Sequence, residues 1–451
     1  MLHETRRMRL RMEKRETFSG KIGFILACIG AAIGLGNIWM FPWRLGSYGG
    51  AAFLIPYLFF ILVLGTTGLM GEFAFGRNKK RGAIGAFKEV FAEKNLPFGS
   101  FLGTIPVIGV SGVFVFYLIV VGWILKYFVL ALSNSFATVS IDNIPAVFGA
   151  FAGQPQSIVW HMLAIIITLI IINLGVVKGI EQANKYMMPT LFAILIILGI
   201  RSLTLPGAIE GLKFLFIPDW SLLKDPTTWI MALGQSFFTV SLGGAAMLVY
   251  GSYLKDNVDI PESAIHTAIF NTCASFLAAL VIIPAVFAFG LSPQAGPTLL
   301  FITIPNILKL MPGGYIFGTL FFLSIFFAAL SSALNLMEVP VEALMDYFKI
   351  SRKKSAIIVG TLGFLIGIPL DLNINLFGKF ADFVSIYLIP LGAVLAAVVF
   401  FWVFGVSKAR AEINKGANKP LGVWWDFLAK YVFTIVAVVV LVLGVIYGGI
   451  G

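Results

Sequence analysis

Residues 30–42 read GAAIGLGNIWMFP, three glycines, an asparagine and a proline set in an apolar run that extends from about 20 to 46. Such a run carries the roughly 20 apolar residues that cross a bilayer at 1.5 Å each. Its interior is poorly suited to a plain anchor. Gly30, Gly34 and Gly36 remove the side-chain barrier to non-helical backbone, and Pro42 withdraws an amide donor. Unpaired backbone groups are costly in hydrocarbon, so a break is tolerated only where protein, ion or water meets them. Close helix packing is the other use of such glycines. A later run, 228–252, carries Ser241, Gly243 and Gly244 between aromatic and aliphatic residues. Interruptions in spans one and six, five spans apart, fit repeated halves that enclose a site near the midplane.

The rest of the chain calls for the same solvent. Of 451 residues, 59% are hydrophobic and 12% charged, with mean hydropathy +0.96, where soluble domains carry about 25% charged residues. Apolar runs near 20–46, 51–76, 99–130, 157–175, 179–200, 228–252, 265–290, 315–347, 354–370, 381–405 and 425–448 predict eleven crossings of an all-α integral membrane protein. Basic residues collect in four connections: Arg6, Arg7, Arg9, Arg11, Lys14 and Arg15; Arg77, Lys79, Lys80, Arg81 and Lys88; Lys349, Arg352, Lys353 and Lys354; Lys408, Arg410, Lys415 and Lys419. The positive-inside rule places all four in the cytoplasm, and 132–157, which has no Lys or Arg, outside. The expected location is the plasma membrane or a cell inner membrane, with the amino terminus cytoplasmic and the carboxyl terminus extracytoplasmic. The net charge of +11 then faces anionic membrane lipid, not nucleic acid.

No small-residue cleavage site follows a short apolar core, so residues 1–19 read as a retained cytoplasmic tail. Cys28 and Cys273 sit in apolar runs and read as packing residues, with no disulfide or zinc framework. His161 and His266 begin separate spans without an evident Cys, Asp or Ser partner, and no Walker A loop is present. They read as interfacial or packing residues, and the chain as no enzyme. Protein partners are not legible.

Asn37 stands beside the first break. Freed carbonyls, an Asn oxygen and hydroxyls are hard neutral ligands for an alkali cation, whereas freed helix amides suit a carboxylate. The alternative is that Asn37 bonds across helices. Thr239, Asn271, Ser331 and Ser332 are candidate partners on other spans.

With 30–42, the segments QSFFTVSLGGAAMLVYGSY (235–253) and FFAALSSALNLMEVP (326–340) closely resemble the first, sixth and eighth helices of the neurotransmitter:sodium symporter family, specifically its bacterial amino-acid transporters. The resemblance covers nearly the whole chain. It implies an inverted five-plus-five repeat, over 20–200 and 228–405, joined by an extracytoplasmic connection at 201–227. A cytoplasmic connection at 406–424 and an eleventh helix within 425–451 complete it.

Carried over by resemblance, a first sodium site comprises the Ala32 carbonyl, Asn37, Thr239, Asn271 and the substrate carboxylate, a shared ligation that makes sodium and substrate binding reciprocal. A second comprises carbonyls of Gly30, Ile33 and Ala328 with the hydroxyls of Ser331 and Ser332. The substrate carboxylate meets the Ala32–Gly36 backbone, including Gly34, and Tyr117; the amino group faces carbonyls near Ala32, Phe238 and Ser241. The side-chain pocket maps to Val113, Phe116, Phe238, Ser241, Gly244, Ala245, Ser332 and Leu336. These neighbours suit hydrophobic amino acids. Gly244 replaces a bulky aromatic residue of the family's leucine carrier and implies room for aromatic cargo; helix packing is its alternative use.

The resemblance makes Phe238 a lid. Of the outer gate pair Asp382 is kept, while Met40 replaces the arginine; Arg44 is nearby in sequence. The inner gate maps to Arg15 and Asp346, supported by Tyr253, with Phe18 in a tryptophan's place. Gly179 and Pro189 match an element of the fifth helix that unwinds to open a water path to the second sodium, a static kink being the alternative. Tyr57, Gln235, Thr239, Asn271 and Ser275 match a chloride site. Ser275 replaces the carboxylate of the chloride-independent leucine carrier, whereas Glu72 of the second span offers a compensating negative charge. Sodium-coupled transport by alternating access is the expected function, with up to two sodium ions per substrate. An amino-acid-gated channel would pass ions far beyond a coupled stoichiometry, and a receptor would show no concentrative uptake.

Overall fold

The computed structural model describes residues 16–293 and 299–450. Among them the regular structure is helical. Nine helices are long and apolar enough to cross a membrane: α2 (Ala51–Lys79), α3 (Gly99–Leu132), α4 (Pro155–Asn173), α5 (Val176–Leu203), α7 (Ile260–Ala288), α8 (Gly314–Phe348), α9 (Arg352–Asp371), α10 (Ile374–Val403) and α11 (Trp424–Tyr447). A tenth crossing is a pair bent by 53°, α1a (Lys21–Ala32) and α1b (Gly36–Ser47). The run expected as the sixth span divides into α6a (Pro226–Thr239) and α6b (Ala246–Ser252), neither long enough to cross alone. Taken as one interrupted crossing, this pair brings ten to the eleven expected.

Helix starts follow local chemistry. Asp225 accepts a hydrogen bond from the Thr227 amide ahead of α6a, Asp259 from Glu262 ahead of α7, and Asn373 from Asn375 and Leu376 ahead of α10. Each carboxylate or amide oxygen meets amides that have no partner within the helix. The first turns of α1b (Gly36–Met40) and α5 (Val176–Glu181) are wide π-type turns, which often accompany functional sites.

Burial orders the bundle. The apolar core of α3 is 72% buried and those of α2, α7 and α8 are each 61% buried, against 33% for α4 and α11. The inner helices therefore face protein, and the outer ones keep rows of exposed Ile, Val and Leu suited to lipid. α3 runs along α8, α6b lies on α2, and α5 packs against α7 and α8. The broken helices lie within this frame, so their unpaired backbone opens on protein and a cavity.

Candidate functional site

The α1 break begins where Ile33 adopts extended dihedrals, φ −78° and ψ 109°. The carbonyls released there face hydroxyls. Ser331 donates to the carbonyls of Ala328 at 2.8 Å and Ile33 at 3.3 Å; Ser332 donates to those of Ala31 at 3.2 Å and Ile33 at 3.3 Å. Gly30 lies against the Ser331 side chain. Of the oxygens assigned to the second cation site, the Ile33 and Ala328 carbonyls and the Ser331 and Ser332 hydroxyls thus come together around Ile33. Glycine is required at 34, where a Cβ would collide with the Ser332 hydroxyl and Tyr117, and at 36, where it would lie 2.9 Å from the Phe238 ring.

A second polar knot lies beside it. Asn37 Oδ1 accepts from the Gly34 amide at 3.0 Å, and Nδ2 donates to Asn271 Oδ1 at 2.7 Å and Ser275 Oγ at 2.9 Å. Asn271 Nδ2 donates to Thr239 Oγ1 at 3.1 Å. Asn37, Thr239 and Asn271 therefore meet, and Asn37 also bonds across helices as the alternative reading had it. No cluster of three or more His, Cys, Asp or Glu side chains suited to a metal occurs among the described residues. The oxygens gathered here are hard neutral ligands, which suit an alkali cation.

A cavity opens from these knots, lined by Ala32, Gly34, Gly36, Asn37, Val113, Phe116, Tyr117, Phe238, Thr239, Ser241, Ser332 and Leu336, all expected there. Tyr117 Oη accepts from the Leu35 amide at 3.2 Å, and Ser241, at φ +58°, donates to the Ala31 carbonyl at 3.2 Å. Sequence reasoning missed Ala31, Val110, Leu242, Gly243, Ala246, Asn335 and Ile389, which also line it, as does Leu35 of the expected Ala32–Gly36 backbone. Val110, three residues before Val113 on α3, was open to inference from helical spacing.

Gly244 and Ala245, expected in the side-chain pocket, are not among the residues lining this cavity. Gly244 sits at φ +80°, and a Cβ there would lie 2.6 Å from the Gly392 carbonyl and 2.7 Å from Ala396 on α10. Its amide donates to Glu72 Oε1 at 3.0 Å, while the Leu248 amide donates to Oε2 at 3.1 Å. Gly244 thus serves backbone geometry and helix packing. Gly243 and Ala246 are the small residues facing the cavity.

The gate assignments divide. Arg15 lies outside the described residues. Asp346 meets Lys349 at 3.1 Å and Arg81 at 3.7 Å. Tyr253, expected to support an Arg15–Asp346 pair, donates to Glu338 at 2.5 Å, and Arg352 grips that buried carboxylate at 2.7 and 2.8 Å. Phe18 is buried edge-on to Phe24, Tyr250 and Tyr253. Met40 is half-buried, while Asp382 is exposed with no ion-pair partner among the described residues. Arg44 Nη1 turns to the Ile450 carbonyl at 2.9 Å. Gly179 lies in the π-type turn that opens α5, and Pro189 in the helix beyond it.

Around the chloride positions, Ser275 and Asn271 contact Asn37, Gln235 Nε2 donates to the Gly36 carbonyl at 2.9 Å, and the buried Tyr57 hydroxyl lies beside Ser275, Thr272 and Thr239. His161 does have the acid partner that the sequence did not reveal: its Nδ1 lies 2.7 Å from Asp371 Oδ2. His266 Nδ1 bonds the Glu262 carbonyl within its own helix.

Two broken helices enclosing a cavity with neutral oxygens at one end and apolar walls at the other define a secondary active transporter. Residues 15–144 and 150–448 match the sodium:neurotransmitter symporter family, to which the chain belongs. It is 38% identical over 445 residues to the uncharacterized sodium-dependent transporter YhdH of Bacillus subtilis, covering 95% of this chain and 97% of the relative. An uncharacterized sodium-dependent transporter of Methanocaldococcus jannaschii is 34% identical over 449 residues, covering 95% and 90%. The crystal structure of MhsT in complex with L-phenylalanine superposes with a TM-score of 0.85 at 38% identity, covering 95% of this chain and 99% of that one.

Proposed function

We propose that the protein couples sodium entry to uptake of hydrophobic L-amino acids, branched-chain and aromatic, by alternating access. The observation that carries this reading is the cavity itself: carbonyls and hydroxyls of the α1 break at one end, and Val110, Val113, Phe116, Leu336 and Ile389 along its walls. A zwitterion with an apolar side chain complements both ends. The likeness to MhsT, crystallised with L-phenylalanine, supports the same cargo class.

Two sodium ions are assigned. The first takes the Ala32 carbonyl, Asn37, Thr239, Asn271 and the substrate carboxylate; the second takes carbonyls of Gly30, Ile33 and Ala328 with Ser331 and Ser332. None of these groups changes protonation to bind. Phe238 closes over bound cargo, Tyr117 assists, and loosening of α5 between Gly179 and Pro189 hydrates the second ion. The amino terminus and basic connections face the cytoplasm, so inward sodium movement gains about 2.3 kcal/mol per charge per 100 mV from the membrane potential. The positions around Ser275 carry no carboxylate, and the buried hydroxyls of Tyr57, Thr239 and Ser275 offer neutral donors to an anion there, which makes chloride a third ion to test.

The test is concentrative uptake of radiolabelled leucine and tryptophan into proteoliposomes under an inward sodium gradient, with potassium controls and chloride replaced in parallel. Sodium-dependent accumulation of both is expected. Binding without accumulation by folded protein would overturn coupled transport in favour of a receptor.

A further inference from the structure

Six polar side chains line the cavity: Asn37, Tyr117, Thr239, Ser241, Ser332 and Asn335. Five serve the polar end, bonded to the α1 backbone or to the Asn37–Asn271–Thr239 knot. Asn335 does not. It lies on α8 three residues after Ser332 and immediately before Leu336, on the cavity face of that helix. It is 1% exposed, and its Oδ1 has no hydrogen-bond partner among the described residues.

A buried acceptor left unmet costs stability relative to an apolar side chain of similar shape, so an amide in this wall has a physical reason only if something meets it. An aliphatic or phenyl side chain has no donor to offer. An indole N–H or a phenol O–H does.

We propose that Asn335 is a specificity-determining residue whose amide accepts a hydrogen bond from the polar tip of an aromatic amino acid, favouring tryptophan and tyrosine over shape-matched cargo without a donor. The inference rests on the reading of this cavity as an amino-acid site. Sites that hydrogen-bond their substrate reject the analogue lacking the donor, because the protein's own group is then left unpaired.

The test compares tryptophan with 3-benzothienylalanine, of nearly the same shape with sulfur in place of the indole N–H, as competitors of sodium-driven leucine uptake. In the unaltered protein tryptophan should compete about tenfold better. In Asn335→Leu the two should compete equally, and in Asn335→Ala likewise, while a preference should persist in Asn335→Gln. Equal competition in the unaltered protein overturns the proposal without need of any variant, as does an unchanged ratio in Asn335→Leu or Asn335→Ala. Sodium-dependent leucine uptake with equal competition removes Asn335's role and leaves the transport reading standing; absence of sodium-dependent leucine uptake removes the reading on which it rests.

Discussion

The breaks in α1 and α6 pose one problem and answer it differently. In α1 the exposed groups are mainly carbonyls, met by the hydroxyls of Ser241, Ser331 and Ser332. A hydroxyl can rotate its hydrogen away and present a lone pair, so the same oxygens can pass from a hydrogen bond to a cation. In α6 the exposed groups include the amides of Gly244 and Leu248, both held by Glu72, a 4%-exposed carboxylate on α2. That arrangement has nothing to exchange. One break is built to bind and release, the other to hold still.

The sharpest way to break this contrast is Glu72→Ala, which strands two buried amides at about 1–3 kcal/mol each. We expect a large fall in the thermal midpoint of detergent-purified protein, with Glu72→Gln, which keeps one acceptor, falling less. Saturating sodium should restore neither; rescue by sodium would make the α6 break part of the ion site. Next in size, Asn37→Ala should weaken sodium-dependent leucine binding by roughly 100-fold, from loss of several buried bonds, with a smaller fall in midpoint than Glu72→Ala. Normal sodium-dependent uptake by folded Asn37→Ala would reject the first site. Ser331→Ala and Ser332→Ala should each raise the half-saturating sodium concentration about tenfold while leaving the midpoint nearly unchanged. Smallest is Ser275→Glu: where chloride replacement slows uptake by the unaltered protein, this variant should be insensitive to it, and retained sensitivity would move the anion elsewhere.

The sequence already located both breaks, because glycine clusters and adjacent hydroxyls are local features. It also identified most of the cavity through α3 and α8, whose regular helices keep a residue's facing tied to its number. Within 240–245, where irregular backbone has no period, only Ser241 of the expected residues lines the cavity. Gly244 therefore turned out to face α10, and Gly243 and Ala246 the cavity. Ile389 was missed because nothing distinguishes it from a lipid-facing isoleucine in an apolar run. The same distance in sequence hid two buried pairings. Asp371 joins His161 from 210 positions away, and Tyr253 reaches Glu338 from 85. Both depend on how whole helices pack.

The 53° bend at Ile33 has a mechanical consequence. α1a has 12 residues and forms a rod roughly 18 Å long at 1.5 Å per residue. Pivoting about 10° at the existing kink moves its far end by roughly 3 Å, about the width of one water molecule. The contacts opposing that swing run the length of the rod: Ser19 to Glu181, Lys21 to Glu262 at 2.5 Å, Phe24 buried against Phe73, and packing of the remaining turns on α5, α7 and α8. A swing of that size has to part those contacts at the far end, while the oxygens around Ile33, at the pivot itself, stay nearly in place.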